Sequence, residues 1–493
     1  MSVASTGLLE HHLTSPSGRG ALADAPHAGA AGGAACGDLI RIAVRIEGDT
    51  VAEAGFDASG CVAALAAGSA VVELAAGRPV LEVATITPAD VEQELGGLSP
   101  AARHAAVLAA DALHRALGAA AADGAITLAP NPNRRLVAMS GGVDSAVAAG
   151  LAVEAGHEVI GVTLELWADA ETDGAKSCCS PQALVGARAL AHSMGLPHLT
   201  LDRRESFRSE VVADFLSEHV AGNTPNPCVR CNGRVRFGAM LELAERLGAP
   251  SLATGHYARL TDQHGDGAPL LTRARDGDKD QTYMLAAVSG EQLERLWFPL
   301  GDLTKPEVRE IARRQGLGVA EKPESQDLCF LAGTARARFF ERHGEGELQS
   351  GEGDVLDTGG RKIGTHPGHE RFTVGQRRGI GVAASEPLFV LAKDARTNTL
   401  TVGPRAALAT NAVSLVDVAL RRPASSIAAV KLRYRQDPIG CHAVEPLPAG
   451  SHERLSLRLA KPADGVAPGQ IACLMDGDTV LGWARIEAGI AGV

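Results

Sequence analysis

From residue 134 to about 342, short apolar runs alternate with stretches of helical periodicity. Residues 136–139, 159–166, 198–201 and 251–254 are apolar or β-branched and read as strands; 181–194 and 236–247 repeat apolar positions every three to four residues and read as helices. Strands alternating with helices predict a doubly wound parallel sheet, whose ligands sit beyond the carboxyl ends of the strands. From about residue 344 the pattern changes: Gly, Asp and Thr turns separate short runs at 388–391, 399–402, 413–419, 428–434 and 471–475, which predicts small β modules. Residues 118–135 (GAAAADGAITLAPNPNRR) are alanine-rich, then Pro-Asn-Pro, and read as a linker. The expected organisation is multidomain: an N-terminal domain over 1–117, a linker over 118–133, an α/β doubly wound domain over 134–344, a small β-rich central domain over 345–407 and a β-barrel-like domain over 408–493.

Composition narrows the class. A chain of 493 residues holds roughly three or four domains. Hydrophobic residues make up 45% but aromatics only 3%, so the cores must rely on Ala, Val and Leu. No apolar run approaches the ~20 residues that span a bilayer, and the first ten residues lack the basic flank and apolar core of a signal peptide. The nine cysteines do not resemble a secreted disulfide framework. A cytoplasmic protein without a membrane partner is expected. The net charge of −11 is unevenly spread: residues 1–130 carry six Arg, no Lys and fourteen Asp+Glu, whereas 370–440 carry eleven Lys+Arg against five Asp+Glu. An acidic N-terminal domain and a basic C-terminal face open to phosphate follow.

The chemistry begins at Ser140-Gly141-Gly142-Val143-Asp144-Ser145, between a strand-like run and a small-residue helix start. Two adjacent glycines let the backbone approach an anion closely, and the following helix offers N–H groups and the positive end of its dipole. The pattern SGGxDS between strand and helix is that of a loop gripping the pyrophosphate of ATP.

Two cysteine segments stand out. Thr224-Pro225-Asn226-Pro227-Cys228-Val229-Arg230-Cys231-Asn232 reads as a proline-pinned loop bearing CxxC, with Arg230, Arg234 and Arg236 near enough in sequence to favour thiolates. Lys322-Pro323-Glu324-Ser325-Gln326-Asp327-Leu328-Cys329-Phe330 presents a third cysteine in a polar segment. Structural zinc competes for the CxxC, although no second CxxC or paired-His motif completes a site. Cys178-Cys179 reads as a loop thiol pair, and Cys441 and Cys473 as core residues.

These residues carry a family resemblance. The segments AMSGGVDSAVAA, GVTLELW, TPNPCVRCN, ATGHYAR, DGDKDQTYML, KPESQDLCF, FTVGQRRGIG, KLRYR and APGQIACLMDG...VLGWA resemble the bacterial tRNA-specific 2-thiouridylases in order over residues 134–493. The resemblance implies an ATP-pyrophosphatase that adenylates the C2 oxygen of the wobble uridine and replaces it with sulfur from a protein persulfide. It implies ATP at Ala138, Met139, Ser140, Gly141, Gly142, Val143, Asp144, Ser145, Leu164 and Gly255, with Mg²⁺ as companion. It implies a persulfide on Cys329, and Cys231 as the nucleophile that releases its sulfur and leaves a Cys231–Cys329 disulfide. Asn226, Pro227 and Cys228 match the target-base contacts, and Lys279, Asp280, Gln281, Arg433 and Tyr434 the tRNA contacts. One departure is plain: many members carry Asp where this chain has Cys228. Either base catalysis falls to another group, such as Asp327 or a water, or the third thiol has a metal role, with Cys228, Cys231 and Cys329 ligating an iron–sulfur cluster.

Residues 5–117 resemble the NifU-like iron–sulfur scaffold proteins, through HHLTSPSGRGALADAPHAG, AACGD, GFDASGCVAALAAGSAVVE and RHAAVLAADALHRAL. The resemblance implies an α+β fold and a ligand set at Cys36, Asp38, Cys61 and His104. Ala105 stands where the third ligand cysteine is expected. The domain is expected to dock a cysteine desulfurase or other sulfur donor, or to deliver sulfur itself; a degenerate domain kept for docking or stability is the alternative. Rival readings of the whole are an amide-forming ATP-pyrophosphatase, which leaves Cys231 and Cys329 unexplained, and an iron–sulfur carrier, which leaves SGGVDS unexplained.

Overall fold

The computed structural model describes residues 3–33, 37–169, 181–262, 268–323, 328–344 and 351–490. Cys36, Cys178, Cys179 and Asp327 lie outside the described residues.

The N-terminal domain is an antiparallel sheet of four strands in spatial order His27–Gly32, Leu39–Glu47, Thr50–Ser59, Arg78–Pro79. Alternation along Leu39–Glu47 sends Ile40, Ile42 and Val44 to the buried face. That face is covered by the helices Val62–Ala75 and Arg103–Ala122.

The central sheet has five parallel strands in spatial order Leu296–Trp297, Ser251–Thr254, Arg134–Ala138, Glu158–Glu165, His198–Asp202. Chain order reverses at Arg134–Ala138, which is flanked by the strands that follow second and fourth. A crevice opens at the carboxyl end of such a strand, and SGGVDS leaves that end directly, with the helix Val143–Glu154 behind it.

The expected linker is corrected by the structure. The helix Arg103–Ala122 runs through Gly118 to Ala122, and its Leu113, Ala116, Leu117, Ala120 and Ala121 share one apolar core with Ile160, Val162, Leu199 and Leu201 of the central sheet. A Cβ at Gly118 would lie 2.2 Å from the Thr200 carbonyl oxygen, so only glycine lets the helix approach this closely. The remaining connection is also anchored: Thr127 N–H donates to the Gly48 carbonyl and Leu128 N–H to the Arg246 carbonyl. Alanine reads as linker in sequence, but its small side chain is what permits tight helix-to-sheet packing. This helix is also 20 residues long and apolar enough to cross a bilayer, contrary to the expectation that no such run exists, yet it is packed inside the protein.

The central β domain is a four-stranded sheet ordered Lys362–His366, Gly353–Leu356, Thr399–Gly403, Phe389–Asp394. In the C-terminal domain Ala409–Leu420 pairs with both Gly450–Asp464 and Thr479–Ile490, closing a barrel. The expected strand at 428–434 is shorter, Ala429–Lys431, because the chain turns just beyond it, with Gln436 N–H donating to the Arg433 carbonyl at 3.2 Å. The hairpin Arg259–Thr261 and Leu270–Thr272 of the catalytic domain joins the barrel sheet at Thr272 and Thr479.

Candidate active site

Gly141 adopts φ +69°, the left-handed region that favours glycine. Ser145 Oγ accepts from Ser140 N–H at 3.1 Å and lies 3.1 Å from the Gly142 carbonyl, which fixes the loop from within. Gly255 packs against its far side: a Cβ there would meet the Asp144 carbonyl carbon and Ser145 N at 2.7 Å. Ala138, Met139 and Val143 form the loop's buried or half-buried flanks, and Leu164 is buried at the end of the neighbouring strand. Asp144 is the surprise. Lys305 Nζ donates to both of its carboxylate oxygens, at 2.7 and 2.8 Å, and Tyr257 Oη donates at 2.8 Å. Lys322 Nζ donates to the Gly141 carbonyl at 2.8 Å. Both Asp144 oxygens are thus paired with the Lys305 ammonium, and a Mg²⁺ ion would have to displace Lys305 or share the carboxylate with it. Sequence reasoning missed Lys305, Lys322 and Tyr257. Tyr257 lies in ATGHYAR and Lys322 in KPESQDLCF, whereas Lys305, in LTKPEVR, carries no motif.

The cysteines meet in a cavity of about 220 Å³ whose walls include Cys228, Cys231, Cys329, His256, Gln281 and Tyr434. The expected proline-pinned loop is the start of a helix. Asn226 is its N-cap, its side-chain oxygen accepting from Cys228 N–H at 3.1 Å and Val229 N–H at 3.3 Å, with Pro227 at the first helical position. Cys228 and Cys231, three apart, then share a helix face. The turn widens into a π-helical stretch at Cys231–Arg236 before the helix Phe237–Arg246, as π-turns often do at functional sites. Asn-Pro before the CxxC was the sequence signal for this helix start. None of the three cysteines is in a disulfide. Burial pushes the His256 imidazole down to about 3, so it stays neutral. By contrast, burial pushes the Cys441 and Cys473 thiols up to about 12; Cys473 is a buried core residue as expected, whereas Cys441 is only half-buried against the barrel core.

The tRNA-contact candidates divide. Gln281 and Tyr434 line the thiol cavity, with Gln281 Oε1 accepting from Tyr257 N–H at 2.9 Å. Lys279 is half-buried. Asp280 is 3% exposed; it accepts from Ala274 N–H at 3.2 Å and Thr282 Oγ1 at 2.9 Å and pairs with the buried Lys431 at 3.4 Å. It therefore holds the segment in place from inside rather than facing a ligand. Arg433 is exposed but donates to the carbonyls of Gly465 and, at 3.5 Å, Val374, tying the barrel to the central β domain.

In the N-terminal domain Asp38, Cys61 and His104 place one ligand atom each within 4.8 Å of one another. Cys61 N–H donates to Asp38 Oδ1 at 2.7 Å, Cys61 Sγ lies 3.0 Å from Asp38 Oδ2, and His104 Nε2 lies 2.6 Å from the same oxygen. The bonds from the Cys61 thiol and amide, then from His104, hold Asp38 down to about 2. The bonds to Asp38 and to the Ala101 carbonyl raise His104 above its ordinary value. Desolvation and the Asp38 bond raise Cys61. One sulfur, one nitrogen and one oxygen suit a single divalent ion of the zinc kind. They do not fit an all-thiolate cluster, and the buried Ala105 offers no donor.

A glycine-rich loop at the reversal point of a parallel sheet, a cavity lined by three cysteines and an appended β barrel are the arrangement of an ATP-pyrophosphatase-class enzyme equipped for thiol chemistry. The comparisons agree: residues 133–333 match the tRNA methyl transferase HUP domain, 342–404 its PRC-barrel domain, 408–486 the aminomethyltransferase β-barrel domain, and 6–122 the NifU-like N terminal domain. The chain belongs to the tRNA-specific 2-thiouridylase family, in the form fused to a NifU-like domain. It is 43% identical over 484 residues to the bifunctional protein NifU/MnmA of Rubrobacter xylanophilus, covering 96% of each chain. It is 44% identical over 365 residues to the tRNA-specific 2-thiouridylase MnmA of Geobacter metallireducens, covering 72% of this chain and 97% of that one. Among solved structures, a 4-thiouridine synthetase–RNA complex with bound ATP matches 43% of this chain and 50% of that chain, at 19% identity and a TM-score of 0.28.

Proposed function

We infer that the chain makes 2-thiouridine at the wobble position of tRNA by adenylation and persulfide transfer. ATP in the SGGVDS loop is attacked by the uridine C2 oxygen, giving an O-adenylated base and diphosphate. Cys329 carries a persulfide. The Cys231 thiolate attacks Cys329 Sγ, the persulfide S–S bond breaks, and the terminal sulfur leaves as hydrosulfide, which adds at C2 and expels AMP with the original oxygen. A Cys231–Cys329 disulfide remains, and an external thiol reduces it by two electrons. The observation that carries this reading is that Cys231 and Cys329, from segments remote in sequence, line the same cavity. Arg236 stands in the same cavity wall. Mass spectrometry of wobble nucleosides tests it: Cys329→Ser should abolish 2-thiouridine while ATP binding persists, and normal thiolation by that variant removes the assignment.

The NifU-like domain serves as dock for a cysteine desulfurase or other sulfur donor, with Cys61 as the thiol that receives sulfur. Its exposed Cys61 beside His104 supports this.

A second reading rests on Cys228 lining the same cavity. Cys228, Cys231 and Cys329 would hold a 4Fe–4S cluster with one iron left open. Anaerobic purification separates the two. A brown protein with about three to four irons, lost together with activity in Cys228→Ala, supports the cluster; full activity in iron-free enzyme eliminates it.

A further inference from the structure

A carboxylate inside an anion-binding loop needs an explanation. Asp144 lies in the first turn of the helix Val143–Glu154, where N–H groups and the helix dipole favour negative ligands. Bare, it would repel a diphosphate. The structure places two ammonium groups there from remote segments. Lys305 is 7% exposed and binds both Asp144 oxygens, with Tyr257 Oη on the same carboxylate. Lys305 is itself held at its backbone, where its N–H donates to Asp276 Oδ2 at 2.8 Å, at the start of a helix whose N-terminus is boxed by Thr304 and Glu307. Lys322 is exposed, and the Gly141 carbonyl accepts one of its three N–H donors. Lys305 thus neutralises Asp144, and Lys322 adds a second ammonium at the loop, in addition to the helix N–H groups.

We propose that Lys305 and Lys322 form a two-cation clamp on the diphosphate half of ATP, and that Asp144 is a positioning residue that aims Lys305. The inference rests on the adenylation chemistry above. When the uridine C2 oxygen bonds to the α-phosphorus, the bond from that phosphorus to the bridging oxygen breaks. The electron pair stays on the departing diphosphate, and the uridine N3 proton passes to water. Negative charge grows on the diphosphate, where the two ammoniums stand ready without reorganisation.

The test uses the full-length chain with inorganic pyrophosphate and AMP as separate probes in calorimetry. Lys305→Gln and Lys322→Gln should each weaken pyrophosphate binding about tenfold or more, as loss of a charge-assisted bond does, while AMP binding stays within about twofold to threefold. AMP binding doubles as the check that each variant is folded. Lys305→Arg should recover much of the loss. Asp144→Asn should lower the rate of tRNA adenylation more than it raises the KM for ATP, because Lys305 keeps its own charge and loses the carboxylate that aims it. Pyrophosphate affinity unchanged in both lysine variants, or a parallel fall in pyrophosphate and AMP binding, overturns the clamp. Thiolation is scored separately: absent 2-thiouridine with pyrophosphate binding intact would remove the proposed reaction and leave the clamp standing.

Discussion

Arg188 of the catalytic domain and Asp111 of the NifU-like domain meet at 2.5 Å, with both side chains largely buried. Asp111 also accepts from Arg115 at 2.8 Å. Beside this pair, His192 Nε2 lies 3.0 Å from the Ala84 carbonyl, and His198 N–H donates to the same oxygen at 3.2 Å. The two halves of the protein are therefore joined as packed bodies and not strung together.

Disturbing this junction should destabilise both halves at once. Gly118→Leu drives a side chain into the Thr200 carbonyl, and overpacking of this kind costs about 1–3 kcal/mol. Calorimetry should show one shared transition shifted down. Removal of residues 1–122 should go further, since it strips Leu113 and Leu117 from the face of Leu199 and Leu201. Two independent transitions, with the catalytic one unmoved by Gly118→Leu, would contradict the shared core.

Cysteine reactivity should follow burial. With iodoacetamide near pH 8, the half-buried Cys228 and Cys329 should alkylate in the native protein, whereas the buried Cys473, held near 12, should wait for denaturation. Peptide mass spectrometry reads each site. Early labelling of Cys473 would mean that its core opens readily.

Binding of tRNA should weaken steeply with salt. Arg377 and Arg378 are exposed in the basic stretch, and neutralising both should flatten the plot of log affinity against log salt by about 1.5. Arg433 is a poorer probe, because its guanidinium also joins two domains. An unchanged slope in the double variant would put the tRNA surface elsewhere.

The Asp38–His104 pair should respond to pH from both sides. Asp38 is held low, so its contribution is full above its unfolded value of 3.8 and is lost as pH falls toward about 2. His104 is raised, so its contribution is full below 6.5 and fades as pH climbs through the raised value. A proton NMR titration should find the His104 midpoint above 6.5, and Asp38→Asn should bring it down. Added Zn²⁺ should suppress the titration by taking the imidazole; a titration indifferent to Zn²⁺ would argue against a metal site here.

Much of the architecture was legible in the chain. Apolar runs of strand length between helical repeats announced the parallel sheet, and SGGVDS marked its working end, because strand period, helix period and glycine conformation are local properties. The CxxC at Cys228 and Cys231 was visible for the same reason. Other features depend on contacts between distant segments. No local pattern ties Cys329 to Cys231, Lys305 to Asp144 or Lys431 to Asp280; packing brings each pair together. The helix Arg103–Ala122 shows the limit most clearly. Its alanines and Gly118 look like slack chain in one dimension, but in three they are small enough to lie flat against a sheet. The sequence by itself determined the elements and the chemistry they carry. Tertiary structure decided which charges are neutralised, which thiols share a cavity and that the two halves share a core, since those outcomes depend on burial and distance that no stretch of sequence contains.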